Sequence, residues 1–419
     1  MGRSWALGDL LSTLFERRAP TGAVTGNAPL PDLCRALMSG RGEVSGMKLA
    51  SEALARWRAA DEAERLAFFR FLADDMDLDP RALGDAARAY ADSRDTAHLT
   101  TLLAAAEPPR QELLRRLNQA PGGTADLVAM RVALMQAAQD DPGLGRVDLD
   151  FRHLFASWFN RGFLVLRRID WDSPAALLER LIAYEAVHEI QSWDDLRRRV
   201  APRDRRCFAF FHPALPDDPL IFVQVALTRG IPGAIGPILS KDRQPLPPAE
   251  ADTAIFYSIS NCQAGLRGIS FGNSLIKQVV EVLGAELPQL KTFATLSPIP
   301  GLVRWLDDTG IAHPDDPAQV RALAARYLLE AKARDDQPRD PVARFHLDNG
   351  AEVHAIHAEA DLSPRGQSQS LGAMVNYRYD PARVEDNHET YATAYHVVAT
   401  RDVKALVTPG ADRARGARD

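Results

Sequence analysis

The hydrophobic period of the chain changes near residue 150, and that change limits the folds open to it. Before it, apolar residues recur at spacings of three and four. Leu49, Ala53, Ala55 and Trp57 begin one pattern, and Leu66, Phe69, Leu72 and Met76 continue it. Leu102, Leu103, Leu113, Leu114 and Leu117 lie on either side of Pro108-Pro109, and Val128, Val132, Leu134 and Ala138 follow. Such spacing gives a helix one apolar face. Breaks at Pro29-Leu30-Pro31, Pro80, Pro108-Pro109 and Gly122-Gly123 divide the stretch. Residues 1–150 are therefore expected to form an all-α helical bundle. After residue 150 the apolar runs are short and rich in β-branched or aromatic residues: Cys207–Phe211, Leu220–Leu227 and Ala254–Ile259. Strands joined by loops alone predict an antiparallel meander. A helix is expected from Ile269 to about Leu287, then a strand at Lys291–Leu296. A short helix at Leu302–Leu306, a helix over 318–333 and strand-like pieces at Ala351–Ile356 and Met374–Tyr379 follow. The expected fold is α+β: a helical domain over 1–150, a mixed α/β domain over 151–408, and a disordered tail at 409–419.

Composition narrows the function classes. The 419 residues are 46% hydrophobic and 25% charged, which suits a globular protein with a sizeable core. A net charge of −6, from 50 basic and 56 acidic residues, argues against a general nucleic-acid binder. Cys34, Cys207 and Cys262 are scattered and form no CxxC, so no Cys-based zinc site is expected. Each is expected to be a small buried hydrophobe, in keeping with a reducing compartment. The start, MGRSWALGDLLSTLFERR, is interrupted by Asp9 and lacks a small-residue cleavage site. No run of 18 apolar residues occurs, and the final ADRARGARD is not a peroxisomal address.

Three short segments carry candidate chemistry. Gln263–Gly272 is a glycine-containing loop between a strand and a helix, where free N–H groups favour an anion such as pyrophosphate. It resembles the pyrophosphate turn of GNAT acyltransferases, which hold coenzyme A. Counting from Gln263, Leu266 stands at the first glycine position of that turn and Gly268 at the second. Thr295-Leu296-Ser297-Pro298-Ile299-Pro300-Gly301 places a hydroxyl at a strand end, with two prolines restricting the backbone behind it. Phe345-His346-Leu347-Asp348-Asn349-Gly350-Ala351 places a histidine just before a tight turn, the side chain most apt to move protons near neutrality. Other features have plainer roles. His354 and His357 are expected on opposite faces of a strand, and no metal site is expected. The cluster Arg197, Arg198, Arg199, Arg203, Arg205 and Arg206 is expected to be a solvated, partly paired face, with a coenzyme A 3′-phosphate as the other use of it. Asp335-Asp336 is expected in a loop.

Four strings occur in order: Gly-Leu-Arg-Gly-Ile-Ser-Phe-Gly-Asn-Ser-Leu-Ile-Lys, Leu-Ser-Pro-Ile-Pro-Gly, Phe-His-Leu-Asp-Asn-Gly-Ala and Val-Asn-Tyr-Arg-Tyr. Together they resemble the malonyl-CoA decarboxylase family, with similarity from about 150 to 407. The resemblance implies an N-terminal helical oligomerisation domain and a GNAT-like catalytic domain. It implies a carboxy-lyase that turns malonyl-CoA into acetyl-CoA and carbon dioxide with no cofactor and no metal. It places the catalytic groups at Ser297, His346 and Tyr379. It places the coenzyme A loop at Arg267, Gly268, Ile269, Ser270, Phe271, Gly272 and Asn273. Some members carry a carboxylate where Ser270 aligns, so a nearby Tyr or a backbone carbonyl is expected to orient His346 instead. The partners expected are malonyl-CoA, acetyl-CoA and further copies of the chain as a dimer or tetramer. Neither nucleic acid nor membrane is expected, and the location expected is a bacterial cytoplasm. The competing expectations are a GNAT-type acyltransferase and a non-catalytic coenzyme A-binding regulator.

Overall fold

The computed structural model describes residues 28–39, 43–269, 271 and 275–407. The tail expected at 409–419 lies outside them. The chain forms two compact units. One closes at Asn160, beyond the boundary expected near 150, and also takes in Gln263–Ser270. The other holds Arg161–Cys262 and the chain from Phe271 onward.

The first unit is helical. Among the described residues its helices are α1 (Leu30–Met38), α2 (Glu43–Ala59), α3 (Glu62–Asp74), α4 (Pro80–Ser93), α5 (Thr96–Ala105), α6 (Pro109–Asn118), α7 (Gly123–Asp140) and α8 (Gly145–Trp158). Local signals start several of them. Asp61 and Glu64 close a reciprocal capping box on α3, and Asp79 caps α4 with Pro80 at its first position. The expected stripes are largely buried: Ala53, Trp57, Phe69, Leu72, Leu113, Leu114, Leu117, Val128 and Leu134 lie in the core. The exception is α5, which buries none of its residues and leaves Leu103 63% exposed.

Two buried arginines brace this unit. Arg110 on α6 is paired with Asp150 and, at 2.7 Å, with Asp77, as a buried charge requires. Arg131 on α7 bonds Asp148 at 2.7 Å through Nε. Its Nη1 donates to the carbonyls of Gly265 at 2.7 Å and Arg267 at 2.9 Å, which fastens the glycine loop to α7. Gly265 is required there, because a Cβ would run into the Val128 backbone oxygen.

The second unit is built on one sheet. Its elements are β1 (Val165–Ile169), α9 (Ala175–Tyr184), α10 (Trp193–Val200), β2 (Arg205–Phe211), β3 (Ile221–Thr228), α11 (Gly236–Leu239), β4 (Thr253–Asn261), α12 (Leu275–Glu286), β5 (Thr292–Thr295) and β6 (Ser297–Pro298). There follow α13 (Leu302–Thr309), α14 (Pro317–Glu330), α15 (Pro341–Asp348), β7 (Glu352–His357), α16 (Pro364–Ser370), β8 (Met374–Tyr379), α17 (Val384–Ala394) and α18 (Arg401–Ala405). Strands β1 to β4 form the expected antiparallel meander, and β5 returns parallel to β4 after α12. This is the GNAT-like order that the family resemblance implies. Strand β1 was not expected, because only Ile169 of its residues is buried and two arginines occupy it. The helix expected from Ile269 is described over Leu275–Glu286, and Ile269 and Phe271 are not helical. Among the described residues no helix is long and apolar enough to cross a membrane.

Candidate active site

Strand β8 pairs with β7 along one edge and with both β5 and β6 along the other. The register is the same on either side of the break: Ala294 faces Arg378, and Ser297 faces Val375. At the break, side chains take over the ladder. The Tyr377 amide donates to Thr295 Oγ1 at 3.1 Å, and Asn376 Nδ2 donates to the Thr295 carbonyl at 2.8 Å. Buried backbone groups must find partners, and here they find them off the ladder. Residues two apart on a strand share a face, so Thr295 and Ser297 point the same way as Tyr377 and Tyr379 across from them.

Helix α15 brings His346 onto that face. Its ring stacks on Tyr377 at 4.5 Å between centroids and 26° between planes. His346 Nε2 lies 3.1 Å from Ser297 Oγ, and Nδ1 lies 2.8 Å from the Tyr379 hydroxyl. Ser297 Oγ lies 2.8 Å from Thr295 Oγ1. Thr295, Ser297, His346 and Tyr379 thus form one continuous hydrogen-bonded line, and every member is buried.

Burial sets the charge of the line. It pushes the His346 imidazole down to about 3, and it pushes the Tyr377 and Tyr379 hydroxyls well above the ordinary phenol range. His346 is therefore neutral and Tyr379 protonated. The phenol donates to Nδ1, which leaves the imidazole proton on Nε2, facing Ser297. Ser297 in turn donates to Thr295 Oγ1. The tyrosine that meets His346 Nδ1 is Tyr379.

The structure revises several expectations. His346 stands in the last turn of a helix, not in a turn ahead of a strand. Asp340 caps that helix and Pro341 opens it, a start signal present in the sequence. His354 and His357 do not point apart. A register irregularity between Val353 and Ala355 shifts the strand phase, and both line a cavity of about 490 Å³ with Arg321, Thr400 and Asp402. The arginine cluster is a solvated face only in part: Arg197 and Arg203 are exposed and Arg198 is half-buried. Arg199, Arg205 and Arg206 are buried. Arg199 bonds the His188 and Glu189 carbonyls, Arg205 the Ile238 carbonyl and Arg206 the Glu286 carboxylate. The three cysteines are buried and free, and burial pushes the Cys34 thiol up to about 12. Arg267 and Gly268 are exposed, Ile269 and Phe271 are buried, and Ser270, Gly272 and Asn273 lie outside the described residues. Arg267–Ile269 belong to the helical unit, whereas Ser297, His346 and Tyr379 belong to the sheet unit. Among the described residues no group of three His, Cys, Asp or Glu side chains is placed to hold a metal ion.

Thr295, Asn376 and Tyr377 had no assigned part from the sequence. Their signal was period-two spacing: Tyr377 shares a strand face with Tyr379, and Thr295 shares one with Ser297.

A mixed sheet bearing a buried hydroxyl, imidazole and phenol in series defines the class, an α+β protein with a buried line of side chains of the types that move protons. A family model described as the malonyl-CoA decarboxylase C-terminal domain matches residues 162–319 and 315–416, and one for the N-terminal domain matches 76–159. The chain belongs to the malonyl-CoA decarboxylase family. It is 36% identical over 354 residues to the mitochondrial malonyl-CoA decarboxylase of Anser anser anser, covering 72% of this chain and 70% of that one. Against the Rattus norvegicus protein of that name it is 33% identical over 356 residues, covering 72% and 71%. The crystal structure of malonyl-CoA decarboxylase from Rhodopseudomonas palustris is 48% identical with a TM-score of 0.85, covering 90% of this chain and 98% of that one. The one from Agrobacterium vitis has the same identity and TM-score, covering 91% and 100%.

The depressed imidazole gives a pH prediction. A histidine held neutral by the fold adds stability that is complete above its unfolded value near 6.5 and is lost as pH falls toward about 3. Thermal melts of the native protein and of His346→Gln should show the native protein losing stability over that window relative to the variant. Parallel pH profiles would contradict a neutral, buried His346.

Proposed function

We propose that this chain decarboxylates malonyl-CoA to acetyl-CoA, with Ser297, His346 and Tyr379 around the reacting atoms. The hydrogen-bonded line from Thr295 to Tyr379 carries the reading, and family membership supports the reaction. Breaking the carbon–carbon bond leaves an electron pair at the α-carbon, delocalised as a thioester enolate. The thioester is itself the electron sink, so neither a metal nor a Schiff base is required. The protein has three tasks: to donate hydrogen bonds to the developing enolate oxygen, to hold the carboxylate out of the thioester plane, and to return a proton to carbon.

Ser297 orients the carboxylate and relays the proton. His346 supplies it, and Tyr379 holds the ring. One proton is consumed per turnover, because a carboxylate leaves as neutral carbon dioxide and a C–H bond replaces it. A neutral imidazole is a poor acid, but the incoming carboxylate brings the opposite charge that the buried site otherwise denies it. A carboxylate beside the ring favours the imidazolium. When carbon dioxide departs, the negative charge moves to the enolate and the imidazolium proton follows through the Ser297 hydroxyl. A covalent acyl-enzyme at Ser297 has no part in this, since decarboxylation needs none.

Residues 267–273 hold the phosphates of coenzyme A in this reading, with Arg131 fastening the Gly265 and Arg267 carbonyls behind them. The helical unit serves self-association. The support is α5, an apolar helix that buries none of its residues. A reducing cytoplasm fits three unpaired cysteines.

Chelator-treated protein given malonyl-CoA should yield acetyl-CoA and carbon dioxide in equal amounts. Ser297→Ala and His346→Asn should each lower turnover by roughly 10²–10³, the cost of one lost donor. Near-normal turnover in either would overturn the assignment, and tight binding without products would direct attention to acyl transfer. Light scattering on the eluting protein should show an oligomer; a monomer at micromolar concentration would contradict the part given to α5.

A further inference from the structure

We infer that His357 and Asn376 are positioning residues for Ser297: from the face of β8 turned away from His346, His357 fixes the Asn376 carboxamide, and the carboxamide fixes Thr295. The inference rests on Ser297 and His346 being the reacting groups. Asn376 is fully buried on β8, one residue from Tyr377, so its side chain leaves the opposite face of the strand. Both ends of its carboxamide are engaged. Nδ2 donates to the Thr295 carbonyl at 2.8 Å and to the Pro232 carbonyl at 3.3 Å. Oδ1 lies 2.6 Å from His357 Nε2. Two carbonyl acceptors take the two N–H groups, so the oxygen faces the ring and His357 Nε2 is the donor. The ring is itself held in place. A Cβ at Gly233 would lie 2.8 Å from His357 Nδ1, so only a glycine lets the ring pack this closely. Gly233 follows Pro232, whose carbonyl Asn376 holds. Ring, carboxamide and the Pro232-Gly233 segment thus brace one another. The Ile235 amide, donating to the Ala360 carbonyl at 2.9 Å, ties that segment to the chain just after β7.

Thr295 is gripped by two successive residues of β8. The Tyr377 amide takes its hydroxyl, and the Asn376 side chain takes its carbonyl. One grip alone leaves the Thr295 backbone free to turn about its side chain, and the second removes that freedom. Thr295 Oγ1 in turn accepts from Ser297 Oγ at 2.8 Å, and Ser297 Oγ lies 3.1 Å from His346 Nε2. The placement of the reacting hydroxyl therefore passes through the carboxamide. Packing alone does not call for an amide here. Met374, which shares this face of β8, lies in an apolar cluster with Ile255, Tyr257, Ala294 and Leu296. A buried carboxamide beside that cluster costs stability unless its hydrogen bonds are made, and the donor for its oxygen is His357.

The cavity of about 490 Å³ that His357 lines makes this testable on the full chain with malonyl-CoA. Truncating the half-buried ring opens its place to that cavity, where free imidazole can enter and offer the same N–H to Asn376. Asn376→Leu, similar in shape but without donors, should lower kcat on the order of 10²-fold, the cost of about 1 Å of misplacement, with KM little changed. His357→Ala should lower kcat by less, again with KM little changed. Millimolar imidazole should restore kcat to His357→Ala and leave the native protein and Asn376→Leu as they were. His357→Gln, which keeps a donor near the Nε2 position, should retain most of kcat. Melting temperatures establish that each variant is folded, and the His357 variants decide the matter whether or not Asn376→Leu folds. Normal kcat in a folded His357→Ala or Asn376→Leu, or a loss in His357→Ala that neither imidazole nor the glutamine repairs, would overturn the inference. Ser297→Ala and His346→Asn, assayed alongside, separate the two failures. If both lose turnover while His357→Ala is fully active, only the part given to His357 and Asn376 falls. If either retains turnover, the catalytic reading falls first and takes this inference with it.

Discussion

The exchange of hydrogen bonds where β5 gives way to β6 is the constraint on which the site depends. Two strands meet β8 in one register, and between them the Tyr377 amide is held by the Thr295 side chain. That bond leaves Thr295 Oγ1 beside Ser297 Oγ, and it keeps Thr295, Ser297, Tyr377 and Tyr379 on one face. A regular ladder would spend the same amide on a carbonyl and leave the threonine hydroxyl unconnected. The prolines after Ser297 end the strand at once, so the hydroxyl sits at a terminus and not in mid-sheet. Asn376 completes the exchange from the other face of β8, where its carboxamide also meets His357 at 2.6 Å.

Desolvation is the second element. The line of hydroxyl, imidazole and phenol lies inside the protein without a formal charge, and neutral hydrogen bonds strengthen in such surroundings. In the proposed reaction the charge arrives with the substrate carboxylate and moves within this site, where preorganised donors would meet it. The proposal thereby links protonation of the His346 ring to occupation of the site.

Much of this was legible in the sequence, for reasons that differ by element. The strands β2, β3 and β4 announced themselves as apolar runs because they are buried nearly throughout. The stripes on α2, α3, α6 and α7 were visible because each has one buried face. Strand β1 was invisible, since an edge strand with two arginines carries no apolar run. The parallel return of β5 is a property of the crossover through α12, which local pattern does not encode. Asp348-Asn349-Gly350 is a strong turn signal that dominates the local pattern around His346, whereas the helix start at Asp340-Pro341 lies upstream of it. The faces of His354 and His357 followed from an unbroken alternation that the strand does not keep. Ser297, His346 and Tyr379 emerged from their strings, but that Tyr379 meets Nδ1 while Ser297 meets Nε2 required coordinates.

The central claim is that a neutral, buried His346 becomes the proton donor when substrate brings its carboxylate. Nitrogen-15 NMR of the imidazole reads the protonation state directly. The spectrum should be recorded on the free protein and with a malonyl thioester analogue that cannot lose carbon dioxide. The account predicts a neutral ring with its proton on Nε2 in the free protein and an imidazolium in the complex, at the same neutral pH. A ring that stays neutral in the occupied site would contradict it.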